Sequence, residues 1–158
     1  MSTGMERPIE LAADKLRALL AGRRGELLLP MATKPVVEAP QRRALAGALL
    51  ALGMHFDEHD DAAALIDRAF REGVLHDLRC PWGRGGDVLW CREPWTQVGR
   101  HWRYCNREVR KGDELVWLPA QRMPRAAARL VLKIDDVGIT RDAAGRFVWC
   151  IQVEVQRA

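Results

Sequence analysis

The sequence contains few of the hydroxyl side chains that many enzymes use as nucleophiles. Its 158 residues include one serine, Ser2, four threonines and one tyrosine, Tyr104. An activated hydroxyl requires such a residue beside a general base. No Ser-His-Asp set can be nominated from this composition, which therefore disfavours many hydrolase mechanisms.

Cysteine is also scarce, and its spacing does not suit a metal. The four cysteines are Cys80, Cys91, Cys105 and Cys150. No two of them have the Cys-x-x-Cys spacing of a zinc ribbon. His55 and His59 lie four residues apart among acidic residues, but no third ligand is evident, so we interpret this stretch as the acidic start of a helix. We predict no metal and no cofactor.

Long apolar runs are missing as well. No stretch approaches the ~18–20 apolar residues that a membrane-spanning helix needs. The first residues lack the basic and then apolar pattern of a secretory signal. We therefore expect a cytoplasmic protein with reduced thiols and no membrane partner.

Lysine is the scarce cation, because arginine supplies 21 of the 25 basic residues. The charge is also uneven along the chain. Residues 1–78 hold 10 cations and 12 acids, whereas residues 79–158 hold 15 cations and 9 acids. A basic half favours an anionic partner, most often nucleic acid, and arginine suits bidentate recognition of phosphate.

Hydrophobic periodicity predicts helices in the first half of the chain and strands mainly in the second. The predicted helices span residues 12–21, 41–52 and 58–72. The predicted strands span residues 7–11, 26–31, 87–92, 114–118, 129–139 and 146–156. This pattern indicates an α+β domain with a small sheet or barrel.

One basic segment, residues 100–111, interleaves cations with aromatic residues. Its cations and aromatic residues are Arg100, Trp102, Arg103, Tyr104, Arg107, Arg110 and Lys111. In one interpretation the cations meet phosphates and an aromatic ring stacks on a base of single-stranded RNA. In the other, the segment is a solvated loop or hairpin whose two aromatic side chains turn inward.

Four stretches, in the same order, resemble segments of phage and prophage ASCH-domain proteins. Residues 80–95 read CPWGRGGDVLWCREPW, similar to "CPYGxPGDRLWVRETW", and residues 117–130 read WLPAQRMPRAAARL, similar to "WRPSIHMPRWASRI". Residues 7–9 with 16–24 resemble "RPILF…VRAILxGRKTQTRR", and residues 149–154 resemble "WVIEFE". Residues 32–78 match none of these segments.

The resemblance implies a PUA-like fold, which is a small mixed β-barrel with flanking helices. The chain would be one ASCH/PUA-like domain over residues 1–158, with a helical insert at about residues 32–78. It implies that RNA or a nucleotide-like ligand binds in a cleft beside the barrel. Arg92, Glu93 and Arg125 lie at matched motif positions, so we expect them to contact the ligand beside Arg24.

The resemblance also implies where an enzymatic site would lie. Some small bacterial members are acetylcytidine amidohydrolases, whose "GRKTxT" segment supplies a lysine and a threonine, with a separate glutamate. Here Arg24 stands at the lysine position, and Gly25 and Leu27 stand at the two threonine positions. Arginine, with a pKa above ~12, cannot readily serve as a base. This favours a binding module with a degenerate catalytic motif.

Two alternatives stay open at this point. The first is a nucleoside amidohydrolase with a rearranged site, in which Glu93 is the acid or base. The second is a protein-interaction module that docks through the helical insert.

Overall fold

A computed structural model describes residues 4–32, 35, 38–55, 61–76, 78–105 and 116–156, which form a mixed α+β fold. Within these ranges the helices are α1 Ala13–Ala21, α2 Ala39–Ala51 and α3 Ala62–Arg71. The strands are β1 Glu6–Glu10, β2 Arg24–Pro30, β3 Val88–Arg92, β4 Trp95–Val98, β5 His101–Tyr104, β6 Val131–Arg141 and β7 Phe147–Gln156. Two short 3₁₀ turns span Ala120–Arg122 and Arg125–Ala127. The predicted α+β class is confirmed.

The strands of the described residues form two sheets. The larger has the order β1-β3-β6-β7-β2, and the smaller pairs β4 with β5. β1 runs parallel to β3, with Glu10 opposite Arg92, and β3 runs antiparallel to β6. In this order β1 and β2 are the two edges of a mixed sheet that is not closed, so the barrel stays a prediction.

The chain divides into two compact units. The first comprises Met1–Gly25, Trp82–Asp135 and Val153–Ala158, and the second comprises Glu26–Pro81 and Asp136–Gln152. The second unit contains α2 and α3, which lie in the segment predicted as an insert. The organisation as a single domain with an insert stays a prediction.

The core of the first unit is built from alternating residues of its strands. In β3, Leu89 and Cys91 are fully buried, whereas Trp90 and Arg92 are only half-buried. Because side chains alternate across a strand, Trp90 and Arg92 lie on the more accessible face. Burial, together with the charge of Glu93, raises the pKa of the Cys91 thiol to about 12, which leaves it an unreactive core residue.

In the second unit, α2 and α3 pack through apolar side chains. Leu49 of α2 meets Leu65 and Ala69 of α3 in a buried cluster. The Asp61 side chain caps α3 by accepting a hydrogen bond from the backbone N–H of Ala63 at 3.1 Å. This cap replaces one of the hydrogen bonds that the first turn of a helix lacks.

Polar contacts join α3 to β6 within the second unit. Asp67 accepts a hydrogen bond from the backbone N–H of Ile139 at 2.8 Å, and Arg71 contacts both carboxylate oxygens of Asp136 at 2.7 and 2.8 Å. Gly138 allows this approach, because a Cβ there would lie 2.7 Å from Asp67 Oδ1 and still closer to Arg71 Nη2. The absence of a side chain at Gly138 therefore lets Asp67 and Arg71 approach β6.

Replacing Gly138 with alanine should lower the free energy of unfolding by about 2 kcal/mol, because the new methyl group displaces both contacts. The matched control is Gly47→Ala in α2, where a Cβ meets nothing within 4 Å. That change should raise stability by about 0.5–1 kcal/mol, since alanine favours a helix. Urea unfolding of both variants tests the pair, and equal effects of the same sign would contradict this packing.

Three sequence predictions differ from the observed elements. The strand expected at residues 114–118 is wrong over its described part, where only Leu118 forms a single bridge, to Trp95. The helix expected from residue 58 begins at Ala62, and residues 56–60 lie outside the described residues. The hairpin β4–β5 has no counterpart among the predicted strands.

No helix in the described ranges is both long enough and apolar enough to cross a membrane.

Candidate nucleic-acid interface

The first half of the basic segment forms a tight β-hairpin. β4 and β5 pair antiparallel, from Trp95 opposite Tyr104 to Val98 opposite His101. The turn residues are Gly99 and Arg100, and Gly99 has φ +62°. A two-residue turn with a positive φ at its first position is favoured by glycine and matches the twist of a hairpin. The turn therefore fixes Arg100 at the hairpin tip.

The two aromatic residues of β5 turn inward. Trp102 and Tyr104 are half-buried and pack against a cluster of Trp95, Met123 and Ala127. The rings of Trp95 and Trp102 lie 5.4 Å apart at an angle of 59°. This arrangement favours the inward-turned interpretation of the aromatic side chains and makes them the support of the hairpin.

The cations of the hairpin face outward. Arg100, His101 and Arg103 are exposed, and Arg103 alternates with Trp102 and Tyr104 along β5. Neither arginine has an ion pair with any residue in the described ranges, and residues 95–105 contain no acid. The other predicted cations of this segment, Arg107, Arg110 and Lys111, lie outside the described residues.

Glu93, the candidate catalytic residue, is held in a buried ion pair. It follows β3 directly, and 2% of its side chain is exposed. Arg129 donates to its two carboxylate oxygens, from Nε at 2.9 Å and from Nη2 at 2.7 Å. The same guanidinium lies 4.4 Å from the centroid of the Tyr104 ring. Glu93, Arg129 and Tyr104 thus form one connected group, which we call the Glu93 cluster.

The Glu93 cluster is arranged for positioning rather than for proton transfer. Both carboxylate oxygens of Glu93 are engaged by the Arg129 guanidinium, and the Glu93 side chain is buried. Burial and the charge of Glu93 raise the pKa of Tyr104, while Arg129 lowers it by less. Tyr104 therefore stays protonated and donates to the backbone oxygen of Ala127 at 2.5 Å. The cluster ties the base of the hairpin to the segment before β6.

Arg92 and Arg125 contact the two ends of β1. Arg125 donates from Nε and Nη2 to the carboxylate of Glu6 at 3.1 and 3.3 Å. Arg92 lies 3.9 Å from Glu10, and its guanidinium is 5.8 Å from the centroid of the Trp90 ring. Glu6 and Glu10 share a face of the strand, roughly 13 Å apart along it. The two arginines thus line one side of the sheet edge.

Arg24 lies at the other edge of the same sheet. It is exposed and begins β2, and the strands β3, β6 and β7 stand between β2 and β1 in the sheet order. The strand order therefore does not gather Arg24 with Arg92 and Arg125. Of the residues expected to share one cleft, Arg92 and Arg125 share the β1 face, whereas Glu93 belongs to the Glu93 cluster.

The glycine-rich stretch before β3 forms a turn. The buried Asp87 carboxylate accepts hydrogen bonds from the backbone of Met5 at 3.0 Å, from the backbone of Arg84 at 3.1 Å and from Arg7 Nη1 at 3.1 Å. Burial raises the pKa of Asp87, but these hydrogen bonds and the charge of Arg7 lower it by more, so the pKa lies below its usual 3.8. The turn anchors β1 and is not a phosphate loop.

Sequence reasoning did not assign a role to Arg129 or to the acids of β1. Arg129 is 36 positions from Glu93, and Arg125 is 119 positions from Glu6, so no local pattern shows either pair. The only available signal was that Arg129 lies in a matched motif.

Two donors in this region, Trp95 Nε1 and Arg92 Nε, are buried without a hydrogen-bond partner in the described part of the chain.

Among the described residues, no group of three or more metal-binding side chains is close enough to hold an ion, and His59 lies outside them. Comparison of the chain with family models, with curated proteins and with solved structures finds no match. The site is therefore interpreted from its own geometry.

Proposed function

We propose that this chain is a cytoplasmic RNA-binding module of the ASCH type with a PUA-like fold, in which the hairpin β4–β5 binds the phosphates of single-stranded RNA. The observation that carries the proposal is the exposed arginine pair of the hairpin. Arg100 and Arg103 have no ion pair within the described residues, and residues 95–105 hold no acid.

The contrast with three arginines at matched motif positions supports that assignment. The guanidinium groups of Arg92, Arg125 and Arg129 are each matched by a glutamate. Such compensated charges contribute little net field, whereas Arg100 and Arg103 keep theirs available for a phosphate. Arg100 and Arg103 thus lie close together on the hairpin with no acid between them.

The hairpin is also supported well enough to present its cations in a fixed arrangement. Trp102 packs on Trp95, and Tyr104 is held by both Arg129 and the backbone of Ala127. A hairpin that is already held in place before binding loses less entropy when a ligand arrives. In this account Trp102 and Tyr104 support the cations, and base stacking is not their main task.

Arg92 and Arg125 supply a second contact region for the same ligand. Exposed ion pairs contribute at most about 1 kcal/mol, so a phosphate can replace Glu6 or Glu10 as the partner at little cost. The resemblance to ASCH-domain proteins, which includes Arg92 and Arg125, agrees with this use.

The proposal predicts RNA binding that weakens with salt. Titration of the full chain into a fluorescein-labelled, 20-nucleotide single-stranded RNA should give a rise in anisotropy at 50 mM salt. The two hairpin contacts alone contribute about −1.4 to the slope of log affinity against log salt, which is a roughly sevenfold loss between 50 and 200 mM. Absence of binding at 50 mM, or an affinity independent of salt, would refute the proposal.

A further inference from the structure

We propose that the second unit contains a binding site for an aliphatic carboxylate, independent of RNA binding. A cavity of about 810 Å³ lies among α2, the segment after α3, residues near Met31 and the indole of Trp149. Ligand sites for small molecules commonly measure 300–1,000 Å³. All of its lining residues belong to the second unit.

The walls of the cavity are mostly aliphatic. Leu45, Val74, Leu75 and Leu78 line it and are only partly buried, although the neighbouring residues Leu49, Leu65 and Ala69 are fully buried. These four side chains thus keep apolar surface open toward the cavity. An aliphatic chain that enters would remove that surface from water, at about 25 cal/mol per Å².

The polar groups of the cavity favour a negative charge. Among the lining residues that the structure describes, the polar side chains are Gln41, His76 and Arg79, and none is an aspartate or glutamate. All three are exposed, and Arg79 has no ion pair with any other residue described by the structure. An exposed guanidinium at the edge of an apolar cavity suits a single carboxylate head group.

Together these features define the ligand class. The apolar walls select an aliphatic chain, Arg79 selects an anionic head, and Gln41 offers a neutral hydrogen-bond donor in the same lining. One guanidinium and one imidazole fit one carboxylate better than a run of phosphates. The site therefore differs in ligand chemistry from the hairpin of the first unit.

Isothermal titration of the full chain with decanoate, 1-decanol and decylammonium tests this site. Decanoate should bind with a stoichiometry of one, decanol about tenfold more weakly and decylammonium more weakly still, since only the carboxylate gains a charge-assisted contact. Absence of decanoate binding, or equal affinity for the three compounds, would overturn the proposal.

Two variants locate the site, and a third controls for charge. Arg79→Gln should lower decanoate affinity about tenfold and remove the preference over decanol. Ala44→Trp, at an exposed position of the lining, should abolish binding of both compounds without lowering the melting temperature. Arg68→Gln, which removes an equivalent charge elsewhere on the unit, should leave binding unchanged. Decanoate binding that survives Ala44→Trp would place the ligand elsewhere and contradict the assignment.

The two proposals fail separately. A variant with both Arg100→Gln and Arg103→Gln should keep its decanoate affinity, and Arg79→Gln should keep its RNA affinity. Loss of both activities in either variant would show that the sites are not independent.

Discussion

Replacement of Glu93 with glutamine is expected to lower the free energy of unfolding by about 3 kcal/mol. The change keeps the shape of the side chain but leaves the guanidinium of Arg129 without its anion. Glu93 is 2% exposed and Arg129 20% exposed, so water cannot substitute fully for the lost partner. Breaking one side of a buried ion pair typically costs about 3–5 kcal/mol, and the partial exposure of Arg129 favours the lower end.

The chain supplies a matched control for this variant. Glu6 and Arg125 form an ion pair with the same bidentate pattern, but their side chains are 50% and 41% exposed. Glu6→Gln should therefore cost less than about 1 kcal/mol. Urea unfolding of both variants decides the comparison, and a loss for Glu93→Gln no greater than that for Glu6→Gln would contradict the buried cluster.

A double variant separates the ion pair from simple packing. In Glu93→Gln, Arg129 keeps its charge but has lost its anion. If this uncompensated charge is the cause of the instability, then Glu93→Gln combined with Arg129→Met should be more stable than Glu93→Gln alone. In the same variants the anchoring of Tyr104 should weaken, because its ring loses the guanidinium that covers it. A double variant less stable than the single one would favour packing as the main contribution.

Replacement of Asp87 with asparagine is the second large effect, with an expected loss of about 2–4 kcal/mol. The Asp87 carboxylate joins Met5 and Arg7, 82 and 80 positions earlier, to the turn at Arg84. An asparagine offers one acceptor in place of two and carries no charge for Arg7. Loss of buried hydrogen bonds to a charged group explains an effect of this size.

The loss should depend on pH. The folded-state pKa of Asp87 lies below its usual 3.8, so the folded protein holds the carboxylate ionised at a lower pH than the unfolded chain does. Its contribution is therefore complete above about pH 4–5 and is lost as the pH falls through the folded-state pKa. The stability difference between the protein and Asp87→Asn should be constant from pH 7 to 5 and should shrink below pH 4.

Asp142→Asn is the control for this second prediction. The Asp142 carboxylate accepts hydrogen bonds of the same kinds, but all of them come from Ala144 and Arg146 in the same turn. Local hydrogen bonds do not join distant segments, so their loss should destabilise the protein less than the loss at Asp87. If the two variants lose equal stability, the long-range anchor is not the reason for the effect.

Much of the fold follows from short-range patterns. The alternation of Ile151, Val153 and Val155 with Gln152, Glu154 and Gln156 predicts β7, and the glycine before Asp87 predicts the turn that its carboxylate closes. These features depend on period-2 alternation and on turn chemistry, both of which are local. They can therefore be recognised in a single sequence.

The hairpin β4–β5 illustrates what a local pattern does not show. Each of its strands is four residues long. Only two residues, one of them a proline, separate the end of β3 from the start of β4. The sequence around Trp102 and Tyr104 is compatible with rings that stack on a base and with rings that pack inward. The choice is made by Trp95, Met123 and Ala127, which tertiary folding brings to them.

The pairings of the arginines are the least predictable part of the site. The composition identifies a basic half but does not tell Arg92, Arg125 and Arg129, which meet glutamates, from Arg100 and Arg103, which do not. Those partners come from β1 and from the end of β3, and a strand order is needed to place them. Sequence alone therefore predicts the charge of the surface and leaves its location to the structure.

The most direct test of RNA binding through the hairpin compares two variants that lose the same charge. One carries Arg100→Gln and Arg103→Gln, and the other carries Arg17→Gln and Arg23→Gln, at two exposed positions on and after α1. Anisotropy titrations with single-stranded RNA across 50–300 mM salt give the slope for each. We expect the hairpin variant to lose about 1.4 from the slope and roughly 25-fold in affinity at 0.1 M salt, while the control keeps the wild-type slope. Equal losses in the two variants would show that net charge alone binds the RNA, which would contradict the account.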